Sequence, residues 1–263
     1  MKIQLVKEES NVIITIDKGE LISYKVTSIE LMHQKDDKGW GSTEIEMFPI
    51  IGPTKDNDFL VETPKKDASL DQHGILRALS YELYIQENDK VVYRKNYKVG
   101  TLIPNPKFPN KSTLEYMSWP YDFEFFKTFE LKEDSLTISF EIKSEKEMPY
   151  MLGFHPAFKV YNEDVKIVSN KTKLTLTDVL NVGAAAYLVN NSNQISLENN
   201  GSVGVTIETI GFDHVMLWTE VSNMICIEPI TFYPYSVPSK ELHKGFRKST
   251  GNEKLEVKII PVL

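Results

Sequence analysis

The chain has one cysteine, Cys226, in 263 residues, which excludes an internal disulfide and makes a reducing, cytoplasmic setting the expectation. No apolar run approaches the ~20 residues of a membrane-spanning helix, so no membrane partner is expected. The opening stretch MKIQLVKEESNVIITIDKGE returns to charge too soon for a secretion signal. A basic stripe is also missing. Net charge is −7 and the lysines are scattered, which argues against nucleic acid and anionic lipid as partners. There is no glycine-rich phosphate loop, dinucleotide fingerprint, Cys-x-x-Cys pair or zinc-type histidine pair, so neither a metal nor a cofactor is expected. Helical periodicity is scarce, which excludes alternating βα units around a parallel sheet.

What is present is alternation. In LTISFEIK, Leu136, Ile138, Phe140 and Ile142 alternate with Thr137, Ser139, Glu141 and Lys143, as in a strand with one buried face. DFEFFKTFEL precedes it across the polar turn KEDS, so residues 123–143 are predicted to form a β-hairpin. Similar runs at 11–16, 80–88, 91–99, 204–210 and 255–263 are separated by Asn, Asp, Gly, Lys and Pro. This pattern predicts an all-β fold, a large antiparallel β-sandwich formed by residues 1–263 as one domain. The Pro- and Asn-rich piece at 100–116 is expected to be a long loop within that domain, because β patterning resumes on both sides.

Of five histidines, His33, His214 and His243 are expected at surface or edge positions. His73, in QHGILR, precedes Gly74, which permits an unusual backbone angle, and Arg77, which carries five donors. On the residues alone, an ordinary loop entry with a surface arginine is the favoured reading. His155, in GFHPAF, is biased toward extended backbone by Pro156 and flanked by Phe154 and Phe158, which suggest an apolar wall. A core histidine and a catalytic one fit this context equally. Glu228 ends the apolar strand NMICIEP, with Cys226 on its face and Ile225 and Ile227 opposite. It must find donors, become protonated, face a cavity or lie in water.

Taken together, QHGILR, GFHPAF and CIEPIT, in that order and after FPIIG, resemble the aldose 1-epimerase (galactose mutarotase) family, in particular its LacX-type branch. The resemblance implies a supersandwich with an open sugar-binding cleft, and an isomerase acting on an aldohexose as monomer or homodimer. It places His155 at the general acid, Glu228 at the general base, and His73 and Arg77 at sugar-contacting positions. A nearby carboxylate is expected to keep His155 protonated, so that Glu228 sets the acidic limb of the pH profile and His155 the basic one. Asp213 is a candidate for a further carboxylate of the family. GPTKDND stands where relatives carry an arginine. A hexose 6-phosphate mutarotase and a non-catalytic carbohydrate-binding protein are the alternative readings.

Overall fold

A computed structural model describes residues 2–169 and 172–262. The hairpin at 123–143 forms as expected, because each strand presents one buried and largely apolar face. Phe123–Leu131 and Leu136–Ser144 pair in full antiparallel register, from Phe123 opposite Ser144 to Leu131 opposite Leu136. Around it grows a nine-stranded antiparallel sheet. On one side come Lys90–Tyr97 and the exposed edge strand Glu82–Gln86. On the other come Asn252–Val262, Gly204–Ile210, Gln194–Glu198, Lys166–Ser169 and Lys173–Thr175.

A shorter sheet faces it. Tyr187–Val189, His214–Trp218, Met224–Ile230, Gly153–Phe154 and Glu46–Met47 are neighbours in that order, with Ala157–Lys159 also paired to Met224–Ile230. The two sheets share one core. Phe140 of the large sheet meets Phe154 of the small one at 5.1 Å between ring centroids, and Phe125 meets Phe48 at 5.6 Å. Interdigitated rings of this kind contribute to the apolar burial that stabilises a sandwich, beside a larger number of Ile, Leu and Val side chains. A four-stranded N-terminal sheet, Lys2–Lys7 to Ile29–Glu30, adds Ile14, Ile16, Leu21 and Tyr24 to the same core.

The one α-helix among the described residues, Leu176–Leu180, is closed by a capping box between Thr175 and Asp178. No helix of the described residues is long and apolar enough to cross a membrane. The 100–116 stretch is a loop as expected, pinned by a short ladder between Ile103–Pro104 and Tyr116–Met117.

Candidate active site

The segment from Thr43 to Ile51 organises the site, because its backbone is bonded on both sides. On one side Ile45 exchanges both backbone hydrogen bonds with His155, N–H donating to O=C at 2.9 and 3.3 Å, and the amide of Ala157 donates to the Thr43 carbonyl. On the other, the Phe48 amide donates to the His73 carbonyl, the His73 amide to the Ile51 carbonyl, and the Leu76 amide to the Phe48 carbonyl. Residues far apart in sequence are thereby fixed to one ribbon.

His155, Glu228, His73 and Arg77 all line one cleft of about 510 Å³, within the range of small-molecule sites. Glu228 enters from Met224–Ile230, where strand alternation sends Ile225 and Ile227 to the main core. Cys226 packs instead in a small cluster with Ala157 and Met224, against Trp40 and Trp218. Met216 stands opposite Glu228 and Trp218 opposite Cys226 on the neighbouring strand, which brings both into the cleft wall. Glu228 is 2% exposed, which excludes a strand-end carboxylate in water. His155 Nε2 lies 3.3 Å from Glu228 Oε1, yet that oxygen has no hydrogen-bond partner among the described residues.

The rings around His155 correct one expectation. Phe154 and Phe158 are fully buried in the core, because a neighbour along a strand points to the opposite face. The walls of the imidazole are Trp40, at 4.4 Å between centroids, Trp218 at 5.9 Å and the edge of His73 at 5.8 Å. His73 takes a positive φ of 72° and its Nδ1 lies 2.9 Å from the Ile51 carbonyl. A carbonyl only accepts, so Nδ1 carries the proton and Nε2 of the neutral ring is an acceptor. Gly74, also at positive φ, lies so close to Phe48 that a Cβ there would sit 2.3 Å from its carbonyl oxygen. That glycine admits the protein's own backbone.

The charge state is a second correction. Burial is the largest influence on His155 and, with the nearby charge of Arg77, pushes its pKa down to about 3. Burial likewise pushes Glu228 well above the ordinary carboxylate range. The pair does not keep both members charged, because desolvation outweighs their attraction. It rests as a neutral imidazole beside a protonated carboxyl. His73 is also held well below its usual value, by burial and by the charges of Arg77 and Lys107.

Several cleft residues escape sequence reasoning. Trp40, Trp218, Met216 and Tyr235 supply apolar surface, and Gln72, Lys107, Asn110, Lys111 and Glu220 polar groups. Lys107 and Lys111 come from the 100–116 loop, whose richness in Pro, Asn and Lys was the available signal. Lys107 Nζ lies 3.0 Å from Asp71 Oδ1, and Asn105 donates to Asp71 Oδ2 at 2.8 Å. Arg77 has no hydrogen bond or ion pair to any described residue. It also lines a second cavity of about 240 Å³ with Glu44, Glu46, Tyr81 and Lys95, and Ile45 and Arg77 are the residues lining both.

Two other candidates fall elsewhere. Asp213 is bound by Arg247 at 2.6 Å and does not line the cleft. His33, expected at the surface, is fully buried with Nε2 2.7 Å from the Trp40 carbonyl, a partner that makes its burial tolerable. His214 and His243 are half-buried, as edge positions allow. Donor atoms of His155, Cys226 and Glu228 lie within 4.8 Å of one another, close enough to surround a metal ion. Burial holds the Cys226 thiol well above its usual range, however, and a protonated thiol is a poor ligand.

The chain resembles known proteins in sequence and in fold. The family model for aldose 1-epimerase matches residues 19–229. The plasmid and chromosomal LacX proteins of Lactococcus lactis subsp. lactis are each 26% identical over 148 residues, which cover 53% of this chain and 44% of the relative. The matched stretch thus spans less than half of those proteins. A galactose mutarotase-like protein from Lactobacillus casei has a similar structure, with a TM-score of 0.81 at 18% identity over 100% of both chains. A galactose mutarotase related enzyme from Lactobacillus acidophilus gives 0.78 at 19% identity over 100% of this chain and 98% of that one.

Proposed function

Since the chain belongs to the aldose 1-epimerase family, we propose that it is an isomerase interconverting the α and β anomers of an aldohexose in this cleft. The observation that carries the reading is the pair His155 and Glu228, two buried proton-transfer groups 3.3 Å apart. Around them stand indole faces suited to sugar C–H surfaces, and an arginine with no hydrogen bond or ion pair to any described residue.

Mutarotation needs a proton removed from the C1 hydroxyl and a proton given to the ring oxygen. The C1–O5 bond then breaks, the aldehyde turns about C1–C2, and the reverse steps close the ring on the other face. Protons taken and given are equal in number, so a pair sharing one proton is restored after each turnover. In this reading His155 is the acid at the ring oxygen and Glu228 the base at the anomeric hydroxyl. Each role is worth about 10²- to 10⁴-fold in rate. At rest the proton sits on Glu228. Hydroxyl donors brought by the sugar stabilise the carboxylate form, and the proton passes to His155. His73 Nε2 and the Arg77 guanidinium hold the remaining hydroxyls.

A second reading has its own observation. Arg77, Lys107 and Lys111 line the same cleft, where burial first, and then the positive charges of Arg77 and Lys111, lower the pKa of Lys107 against the pull of Asp71. Such a cluster favours an aldose bearing a phosphoryl group. Saturation-transfer NMR on glucose, galactose and their 6-phosphates tests both readings at once. Exchange accelerated in a free sugar supports the first and in a phosphate only the second. Acceleration in none of them, with binding retained, leaves a carbohydrate-binding protein.

A further inference from the structure

The least expected residue of the core is Lys127. It occupies the middle of Phe123, Phe125, Lys127, Phe129 and Leu131, the buried face of a strand, and is itself 0% exposed. Its ammonium donates to Glu44 Oε1 and Glu46 Oε1, each at 2.5 Å, and to the Gly19 carbonyl at 3.1 Å. Lys95, on the adjacent strand, lies 3.6 Å from Glu46 Oε2 and donates to the Leu76 carbonyl at 2.9 Å. Glu44 also accepts from the Leu21 amide at 2.8 Å. Two lysines and two glutamates thus form a buried cluster joining the large sheet to the small one, in which burial pushes the Glu44 carboxyl up to about 7 against the pull of Lys127. Burial opposes the charge on Lys127, but the two carboxylates more than offset it.

Stability alone does not account for such a cluster, since apolar side chains of similar volume at buried ion-pair positions often serve as well or better. Its placement suggests another role. Glu44 and Glu46 flank Ile45, whose backbone N–H and C=O hold His155 at the cleft. By strand alternation both carboxylates leave the ribbon on the face opposite the Ile45 side chain. Lys127 therefore clamps the ribbon from behind on either side of the residue that carries the imidazole. Lys95 ties the same cluster to Leu76, the neighbour of Arg77.

We infer that Lys127 is a positioning residue for His155, acting through Glu44 and Glu46, and that Lys95 has the corresponding role for Arg77. The inference rests on the proposed catalytic role of His155, and its test separates the two. Removing Lys127 alone leaves two buried carboxylates short of a counter-charge, so the variant to use is the balanced double Lys127→Met with Glu44→Gln, which keeps Glu46 paired with Lys95. A misplacement near 1 Å is worth up to about 10²-fold in rate. The double variant of the full chain is expected to melt cooperatively, with kcat down at least tenfold (~1.4 kcal/mol by the rate relation) and KM within about twofold. Lys95→Met is expected to raise KM more than it lowers kcat. Glu44→Gln alone, nearly isosteric, gives a smaller fall in kcat and serves if the double variant does not fold.

The readout independent of turnover is the side-chain resonance of His155 in protein carrying 13C-labelled histidine, assigned with His155→Asn. It is expected to shift or broaden in the double variant while His214 and His243 stay in place. A folded variant with wild-type kcat and an unmoved His155 resonance overturns the inference. If wild-type protein exchanges no anomers, the functional reading fails, and the resonance by itself decides whether Lys127 positions His155.

Discussion

His155 Nε2 and Glu228 Oε1 are 3.3 Å apart, and burial drives both to their uncharged forms. On the proposed mechanism the competent state is the pair with one proton, bounded by gain of a second and loss of the first. The acidic limb of the rate profile therefore belongs to protonation of His155, at about 3 in the free protein, and the basic limb to deprotonation of Glu228. Polarimetry on fresh α-glucose across pH is expected to give a broad bell whose limbs are properties of the pair. A basic limb that persists unchanged in Glu228→Gln contradicts this. His155→Asn and Glu228→Gln are each expected to lower kcat by at least 10².

The same groups make stability depend on pH with opposite signs. Between pH 6.5 and about 3 the unfolded chain protonates His155 and the folded protein does not. This contribution to stability is present above pH 6.5 and is lost as pH falls through about 3, by roughly 1.4 kcal/mol per unit as an upper bound. Glu228, raised in the folded state, contributes stability that is present below its unfolded value and lost as pH rises through the folded one. Denaturant titrations of wild type against His155→Asn should diverge on acidification, and against Glu228→Gln should shift the other way. Parallel curves for both variants count against the buried neutral pair.

Discrimination by charge is expected to reside in the 100–116 loop. Lys111→Ala should raise KM for a hexose 6-phosphate about tenfold or more while leaving the free sugar within twofold, the loss of one charge-assisted contact. Asp71→Asn releases Lys107 from its 3.0 Å ion pair and should tighten phosphate binding. Calorimetric titration with both ligands measures the difference. Equal effects on the free and phosphorylated sugars rule out an anion subsite.

Gly74→Ala is expected to destabilise the protein by about 1–3 kcal/mol and to weaken sugar binding, because a Cβ would meet the Phe48 carbonyl at 2.3 Å in a backbone region few residues enter. Thermal melting and KM report the two effects. A variant as stable as wild type would mean that the His73 turn is free to move.

Dialysis against a strong chelator is expected to leave anomer exchange unchanged, since the proposed acid and base are side chains and the Cys226 thiol stays protonated beside them. Loss of exchange restored by zinc would make His155, Cys226 and Glu228 a metal site instead.

Much of this was legible in the sequence where a local rule was at work. The 123–143 hairpin follows from period-two alternation, and the split of Cys226 and Glu228 from Ile225 and Ile227 follows from the same period. His73, Arg77, His155 and Glu228 converge as the motif order implied. What was not legible depends on chain crossings that no local pattern records. Trp40 and Trp218 reach His155 from two different segments, and the lysines at 107 and 111 enter the cleft from a loop without periodicity. Lys127 interrupts an apolar face, a visible irregularity whose partners lie some 80 residues away. The protonation state was misjudged because attraction between two motifs is easy to foresee, whereas the depth of their burial is set by the whole fold.

Ile45 holds His155 through its main chain, while as a lining residue it stands with Arg77 between the two cavities. The location of the chemistry is thus written in peptide groups that every amino acid except proline possesses. The length of the trench is written in side chains. A descendant of this protein could exchange Ile45 for a smaller residue, lengthen the site toward the second cavity, and keep both Arg77 and the imidazole where they are.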